Sequence, residues 1–252
     1  MRKLAWGGVG AAAIGGCVLV ACVSSSTSPS PDAGTFDSGT FDGGGTTADT
    51  GSDSAIVGDA GTPTTLTFVS GADWPSFDGD LTGSDGGAFG NAKTVCVSPG
   101  VPPNCPPGSV VYRDAGSGWT ATVTVPGAVW VWRGDVAANG LSDSQFAVFE
   151  KTFTLGTHPS GSIQIAADDF VQVRVNGAVV GSAGSTSDAG AAFQAQTTAT
   201  TLDLGPYLEL GTNTVTVIAQ NGPQSYAGCP TPCTFRDNTA GVLFGGTLVS
   251  SQ

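Results

Sequence analysis

From residue 63 onward, apolar and polar positions alternate with a period of two, in short runs broken by glycine and proline every eight to twelve residues. The runs are TTLTFVS, SVVYR, WTATVTV, AVWVWR, AVFEKTFTL, SIQIAAD, FVQVRVN, TNTVTVIAQ and GVLFGGTLVS. Val171, Val173 and Val175 fall on one face of such a strand, with Gln172 and Arg174 on the other. Val215 and Val217 alternate in the same way with Thr214 and Thr216. A side-chain period of two is that of a half-buried strand, and helical periodicity is nearly absent. Many short alternating strands between turn signals predict an all-β domain, an antiparallel β-sandwich of jelly-roll type. The pattern also predicts a turn at GTHPSG, around His158. Another is expected at the adjacent Asp168 and Asp169, where two apolar runs meet.

Ahead of the alternating region the pattern changes twice. Arg2 and Lys3 precede the apolar stretch LAWGGVGAAAIGGCVLVA, and hydrophobicity stops at LVAC, residues 19–22. That is the layout of a secretory signal. The tetrapeptide resembles a bacterial lipobox, whose cysteine becomes the lipidated first residue, so residues 1–21 are expected to be a lipoprotein signal peptide and Cys22 the acylated (palmitate-bearing) residue. Position 23 is valine rather than aspartate, which points to the outer membrane or cell surface of a Gram-negative bacterium. Residues 22–62 carry six aspartates, no lysine or arginine, and the near-repeat TFDSG, TFDGG. Such a composition cannot bury enough apolar surface to offset its ordering entropy, and a disordered tether is expected. Residues 63–252 remain as one sandwich domain, to which residues 63–135, without a motif of their own, are expected to add outer strands.

Charge and cysteines narrow the chemistry. The chain has a net charge of −12, which becomes −14 once Arg2 and Lys3 leave with the signal. Nucleic acid is a poor partner for that surface; the lipid anchor supplies the membrane contact. Cys96, Cys105, Cys229 and Cys233 form an even set in an exported domain and read as two disulfides. Three pairings are open, and the local ones, within CVSPGVPPNC and CPTPC, are expected because proline turns each segment back. Zinc knuckles would need different spacing or more than the single His158.

In the second half, FTL (153–155), VRVNGAVVG (173–181) and LDLGPYLELGTNTVTVIAQN (202–221) together resemble the sugar-binding jelly roll at the front of family 2 glycosidases, within the galactose-binding-like superfamily. The resemblance covers about residues 147–221. It implies a sandwich and a glycan ligand; in those glycosidases catalysis belongs to another domain.

The candidate ligand residues are Asp168, Asp169, Asn176, Trp130 and Trp132. AADDFVQVRVNG also resembles calcium-dependent lectin domains of yeast adhesins, in which adjacent aspartates hold Ca²⁺ against sugar hydroxyls. That resemblance makes Asp168 and Asp169 candidate metal ligands, with Asn176, Asp237 or Asn238 as further oxygens. The simpler reading is the polar tip of a hairpin. Trp130 and Trp132 share a face, so both are core residues or both are platforms for a sugar ring. No catalytic constellation is present: Glu150 and Glu209 are the only glutamates, and no Gly-x-Ser-x-Gly elbow precedes a helix. The expected function is a non-catalytic, lipid-anchored surface module that binds carbohydrate. A structural or adhesive surface protein without a sugar pocket is the alternative.

Overall fold

The computed structural model describes residues 62–96, 108–111, 123–137, 139–223 and 233–251. The expected signal peptide, Cys22, nearly all of the expected tether, Cys105 and Cys229 lie outside the described residues. The described chain forms β1 (Pro63–Val69), β2 (Pro75–Asp80), β3 (Gly83–Asn91), β4 (Lys93–Cys96), β5 (Val110–Val111), β6 (Val131–Trp132), β7 (Phe146–Leu155), β8 (Thr157–Asp168), β9 (Phe170–Val175) and β10 (Ala178–Gly184). Helix α1 (Ala189–Thr197), β11 (Thr200–Asp203), a single 3₁₀ turn (Gly205–Tyr207), β12 (Gly211–Gln220) and β13 (Gly241–Ser251) complete it.

The strands make two sheets. One runs β11-β8-β13-β6-β4-β5, with β1 also paired to β13; the other runs β10-β9-β12-β7-β2-β3. All pairs are antiparallel except β4 with β5. Strands from residues 63–135 therefore join both sheets rather than standing apart.

The alternation read from the sequence places the core. In β9, Val171, Val173 and Val175 are fully buried, and Gln172 and Arg174 are half-buried. In β12, Val215 and Val217 are buried beside Ile218 and Ala219. Between the sheets, Trp74 meets Phe244 edge-on at 4.8 Å between ring centres and lies 6.0 Å from Phe68. Its indole Nε1 donates to the Val69 carbonyl at 2.7 Å, tying the end of β1 to the segment that leads into β2.

Several expectations need correction. His158 does not sit in a free turn: β7 and β8 are separated only by Gly156, and β8 begins at Thr157. The two strands flanking Asp168 and Asp169 are not hairpin partners. Strand β8 pairs with β11 and β13 in one sheet, while β9 pairs with β10 and β12 in the other. The aspartates mark a crossing between layers, because the two runs turn their apolar faces toward each other across the core instead of lying side by side. Of WTATVTV, Val123 to Val125 are described and are not strand, and AVWVWR reduces to the two residues of β6. Strands β2, β3, β4 and β11 and helix α1 were not anticipated. Within β3 the sequence GSDGGAFGN has no apolar alternation to read.

Candidate functional site

The Asn176-Gly177 turn between β9 and β10 has the conformation that its sequence predicts, with φ of 51° and 80° at the two positions. Asn176 is structural. Its Nδ2 donates to Asn213 Oδ1 at 2.9 Å and to the Tyr207 carbonyl at 3.2 Å, and its Oδ1 accepts from the Thr214 amide at 2.9 Å. It sits at the far end of β9 from the aspartates, six strand residues away, roughly 20 Å at 3.3 Å per residue. The structure thus separates it from Asp168 and Asp169.

Trp130 and Trp132 are 6 % and 0 % exposed. Val131 between them is equally buried, so β6 is covered on both faces. This removes both indoles as sugar platforms: β6 is an interior strand held between β13 and β4, and Trp132 packs against Phe235 at 6.3 Å.

Asp168 and Asp169 lie where β8 passes over to β9, joined by a cis peptide bond. Asp168 is 6 % exposed, and both its oxygens are taken. Oδ1 accepts from Gln196 Nε2, and Oδ2 accepts from the Thr239 hydroxyl at 3.0 Å. Asp169 is half-buried; its Oδ2 accepts from the Gly222 amide at 2.7 Å, while Oδ1 receives only a long 3.5 Å contact from Gln196 Nε2. The loop before β13 does come close, as the sequence reading allowed. Thr239 touches Asp168, and Asn238 Nδ2 donates to the Gly222 carbonyl at 2.9 Å and to Asp143 Oδ1 at 2.9 Å. Asp237 instead turns back on Thr234, whose hydroxyl donates to its Oδ2 at 3.0 Å. Among the described residues, no three His, Cys, Asp or Glu side chains gather as a metal-binding group.

Gln196 and the residues around it were not identified from sequence. They come from α1, which starts at Asp188, whose carboxylate caps the Gly190 and Ala191 amides. The available signal was this cap followed by AGAAFQAQ, a run of good helix formers. One turn before Gln196, Phe193 is 59 % exposed. Helix residues three apart are neighbours on one face, so an open aromatic ring stands on the face of α1 that carries Gln196 to the two carboxylates. On a different face of α1, a cavity of about 220 Å³ lies between β10 and the helix, lined by Ser182, Ala183, Gly184, Ala191, Gln194 and Ala195 with Thr200. Gly184 is obligatory here: its φ is +84°, and a Cβ would lie 2.0 Å from the Asp169 carbonyl oxygen and 3.0 Å from Ala195 Cβ. The cavity wall is thus packed directly on the backbone of Asp169.

Cys96 and Cys233 are buried half-cystines, and the expected partners, Cys105 and Cys229, fall outside the described residues. No helix among the described residues is long and apolar enough to cross a membrane.

No family model and no curated protein matches the chain. Similar solved structures are glycosidases. An FMN-binding β-glucuronidase from Facaelibacterium prausnitzii is 14 % identical, with 75 % of this chain and 23 % of that one covered, at a TM-score of 0.37. A β-glucuronidase from Bacteroides uniformis is 17 % identical over 74 % of this chain and 18 % of its own, also at 0.37. An α-L-rhamnosidase from Streptomyces avermitilis, solved with L-rhamnose, is 20 % identical over 47 % and 10 %, at 0.33. The chain therefore spans less than a quarter of the length of each of these enzymes.

Proposed function

We propose that this chain is a non-catalytic, lipid-anchored surface module that binds carbohydrate at the edge formed by α1, β10 and the Asp168–Asp169 crossing. The observation that supports it is Phe193, an exposed ring one helical turn from Gln196, whose amide reaches both carboxylates. An aromatic face for the C–H side of a sugar and fixed polar groups for its hydroxyls are what a small-ligand site needs. The non-catalytic reading is supported by the carboxylates: those of Asp168 and Asp169 receive structural hydrogen bonds, and Glu150 accepts from Thr216 at 3.3 Å.

The test is a glycan array followed by titration of the best binder. Phe193→Ala should weaken binding about tenfold or more, as truncation of a central aromatic contact does. Its folding stability should change by less than about 0.5 kcal/mol, because the ring is mostly in water. Phe193→Trp should restore binding. If no glycan binds, or Phe193→Ala binds as well as the wild type, the alternative of a surface protein without a sugar pocket takes its place.

Calcium at the aspartate pair is the second reading. Gln196 Nε2 touches both carboxylates, and the same amide turned end for end would set its oxygen beside theirs and the Thr239 hydroxyl. Three donors already face the pair, the Gly222 amide, the Gln196 amide and the Thr239 hydroxyl, and a cation would have to displace them. We therefore expect the same melting midpoint in millimolar calcium and in chelator. A native-state ion at a hundredfold excess over its Kd would instead add about 2.7 kcal/mol, and Asp168→Asn with Asp169→Asn would remove that gain.

The anchor is proposed at Cys22 within LVAC. Each buried CH₂ of an acyl chain contributes about 0.8 kcal/mol, and multiple chains make attachment effectively permanent. Cys22→Ser should release the protein into the soluble fraction or stop its processing; unaltered membrane retention would refute the assignment. The pairs Cys96–Cys105 and Cys229–Cys233 belong to the same proposal of an exported domain.

A further inference from the structure

We infer that the chain carries a second sugar-binding groove, on the outer face of the sheet that contains β1, β13, β8 and β11, and that it takes an uncharged sugar unit. Its ligand class rests on the carbohydrate reading above, and its place on separate residues. The strand register builds the groove from two neighbouring rungs. Val69, Gly245, Gln164 and Thr201 lie opposite one another across the four strands, and Thr67, Thr247 and Ser162 make the next rung. Residues two apart on a strand share a face. The intervening Phe68 and Ile163 are buried in the core, so both rungs point outward. A flat sheet face holds no cavity, but this one holds about 250 Å³. Gly245 and Gly246 leave the floor as bare backbone, and Val125 and Pro126 stand beside it as a wall. At Gly245 a Cβ would lie 2.8 Å from Val125 Cγ1 and 3.2 Å from Val69 Cγ1, so the two valines close on that floor only because glycine is there.

The chemistry of the lining names the occupant. It contains no Asp, Glu, Lys, Arg or His, in a chain of net charge −12. The carboxylate next along the second rung, Asp203 opposite Ser162, has Oδ1 turned onto the Gly205 amide at 2.9 Å. Five lining side chains, Thr67, Ser162, Gln164, Thr201 and Thr247, carry hydroxyl or amide groups, and none of these groups has a protein partner among the described residues. A hydroxyl both donates and accepts, and the Gln164 amide offers two N–H donors and an acceptor oxygen. Together they answer the mixed donor and acceptor edge of a sugar, whereas an ion would need a counter-charge that the groove lacks. Val69, Val125 and Pro126 supply the apolar side against which the C–H face of a sugar packs. The volume falls short of the roughly 300–1,000 Å³ of drug-sized pockets. A single unit of a glycan therefore fits, with the rest of its chain in solvent.

The experiment titrates the full chain with neutral oligosaccharides (cellohexaose, xylohexaose, mannohexaose, maltohexaose and laminarihexaose) and follows the Gln164 side-chain amide by nuclear magnetic resonance. At least one probe should bind and shift that amide. Gln164→Ala removes the amide without orphaning a protein partner, and Ser162→Trp fills the groove from an exposed strand position. Each should weaken that binding at least about tenfold, with melting midpoints measured alongside to confirm folding. Should Ser162→Trp fail to fold, Gln164→Ala decides alone. An unmoved Gln164 amide in the bound state, or wild-type affinity in the folded variants, would overturn the groove and leave the α1 edge standing, which Phe193→Ala tests separately. Absence of binding by all five probes would also overturn the groove, while the wider carbohydrate reading still answers to the glycan array.

Discussion

Trp74→Ala should cost this domain about 3–5 kcal/mol, a large share of the roughly 5–15 kcal/mol that holds an ordinary domain folded. Trp74 is fully buried and stands between the layers, in edge contact with Phe244 of β13 and within reach of Phe68 of β1. Truncation leaves a ring-sized void that these neighbours, held in their own strands, cannot close. It also strips the Val69 carbonyl of its 2.7 Å donor. Trp74→Phe separates the two losses. It refills most of the void but still leaves that carbonyl unpaired, so its cost should fall to about 1–3 kcal/mol, the range for one buried group without its partner. Urea midpoints followed by far-ultraviolet circular dichroism measure both. A loss below about 1 kcal/mol for the alanine variant would mean that the inter-sheet packing differs from the one described.

Asn213→Ala should be nearly as damaging, for polar reasons. Asn213 is fully buried, and every hydrogen-bonding direction of its amide is used. Nδ2 donates to the Glu209 carbonyl at 2.7 Å and the Gly211 carbonyl at 3.0 Å, while Oδ1 accepts from the Glu209 amide at 2.8 Å and Asn176 Nδ2 at 2.9 Å. One side chain thus shapes the turn into β12 and locks it to the β9–β10 turn. Removing it orphans several groups at once, each worth about 1–3 kcal/mol if it stays dry, so a total loss of about 3–4 kcal/mol is expected after relaxation. Asn176→Ala should cost less. The double variant should show a coupling of about 0.5–3 kcal/mol, because the two side chains bond each other. Strict additivity would refute the clamp.

These two positions differ in how visible they are beforehand. Asn213 lies in a stretch whose spacing signals a turn into a strand, and the alternation of β9 and β12 is legible because each strand buries one face. The burial of Trp130 and Trp132 is legible only as a choice between two faces, since a period of two fixes which residues go together and not which side is inside. The partners of Asp168 and Asp169 are not legible at all. Gln196 lies 28 residues from Asp168 and Thr239 lies 71 away, and they meet only because successive strands change sheets. Local pattern carries no information about a change of layer, which is also why a crossing looked like a hairpin. Helix α1, nine residues long, is too short to show a period. Strand β3 is held by its neighbour β2 rather than by apolar residues of its own.

The pairing of β1 with β13 sets the direction in which the domain bears force. Pro63, where the chain enters the sandwich, faces Ser251 at one end of β13, and Asp168 faces Gly241 at the other. Ten residues of strand separate these points, about 33 Å. With the anchor and the glycan site proposed above, a pull between membrane and ligand runs along the strand axis. Strand β1 would then have to slide past β13 with all seven of its register pairs loaded together, rather than peel away one pair at a time. A tethered module arranged in this way resists detachment along its line of duty and gives way most easily to a sideways tug.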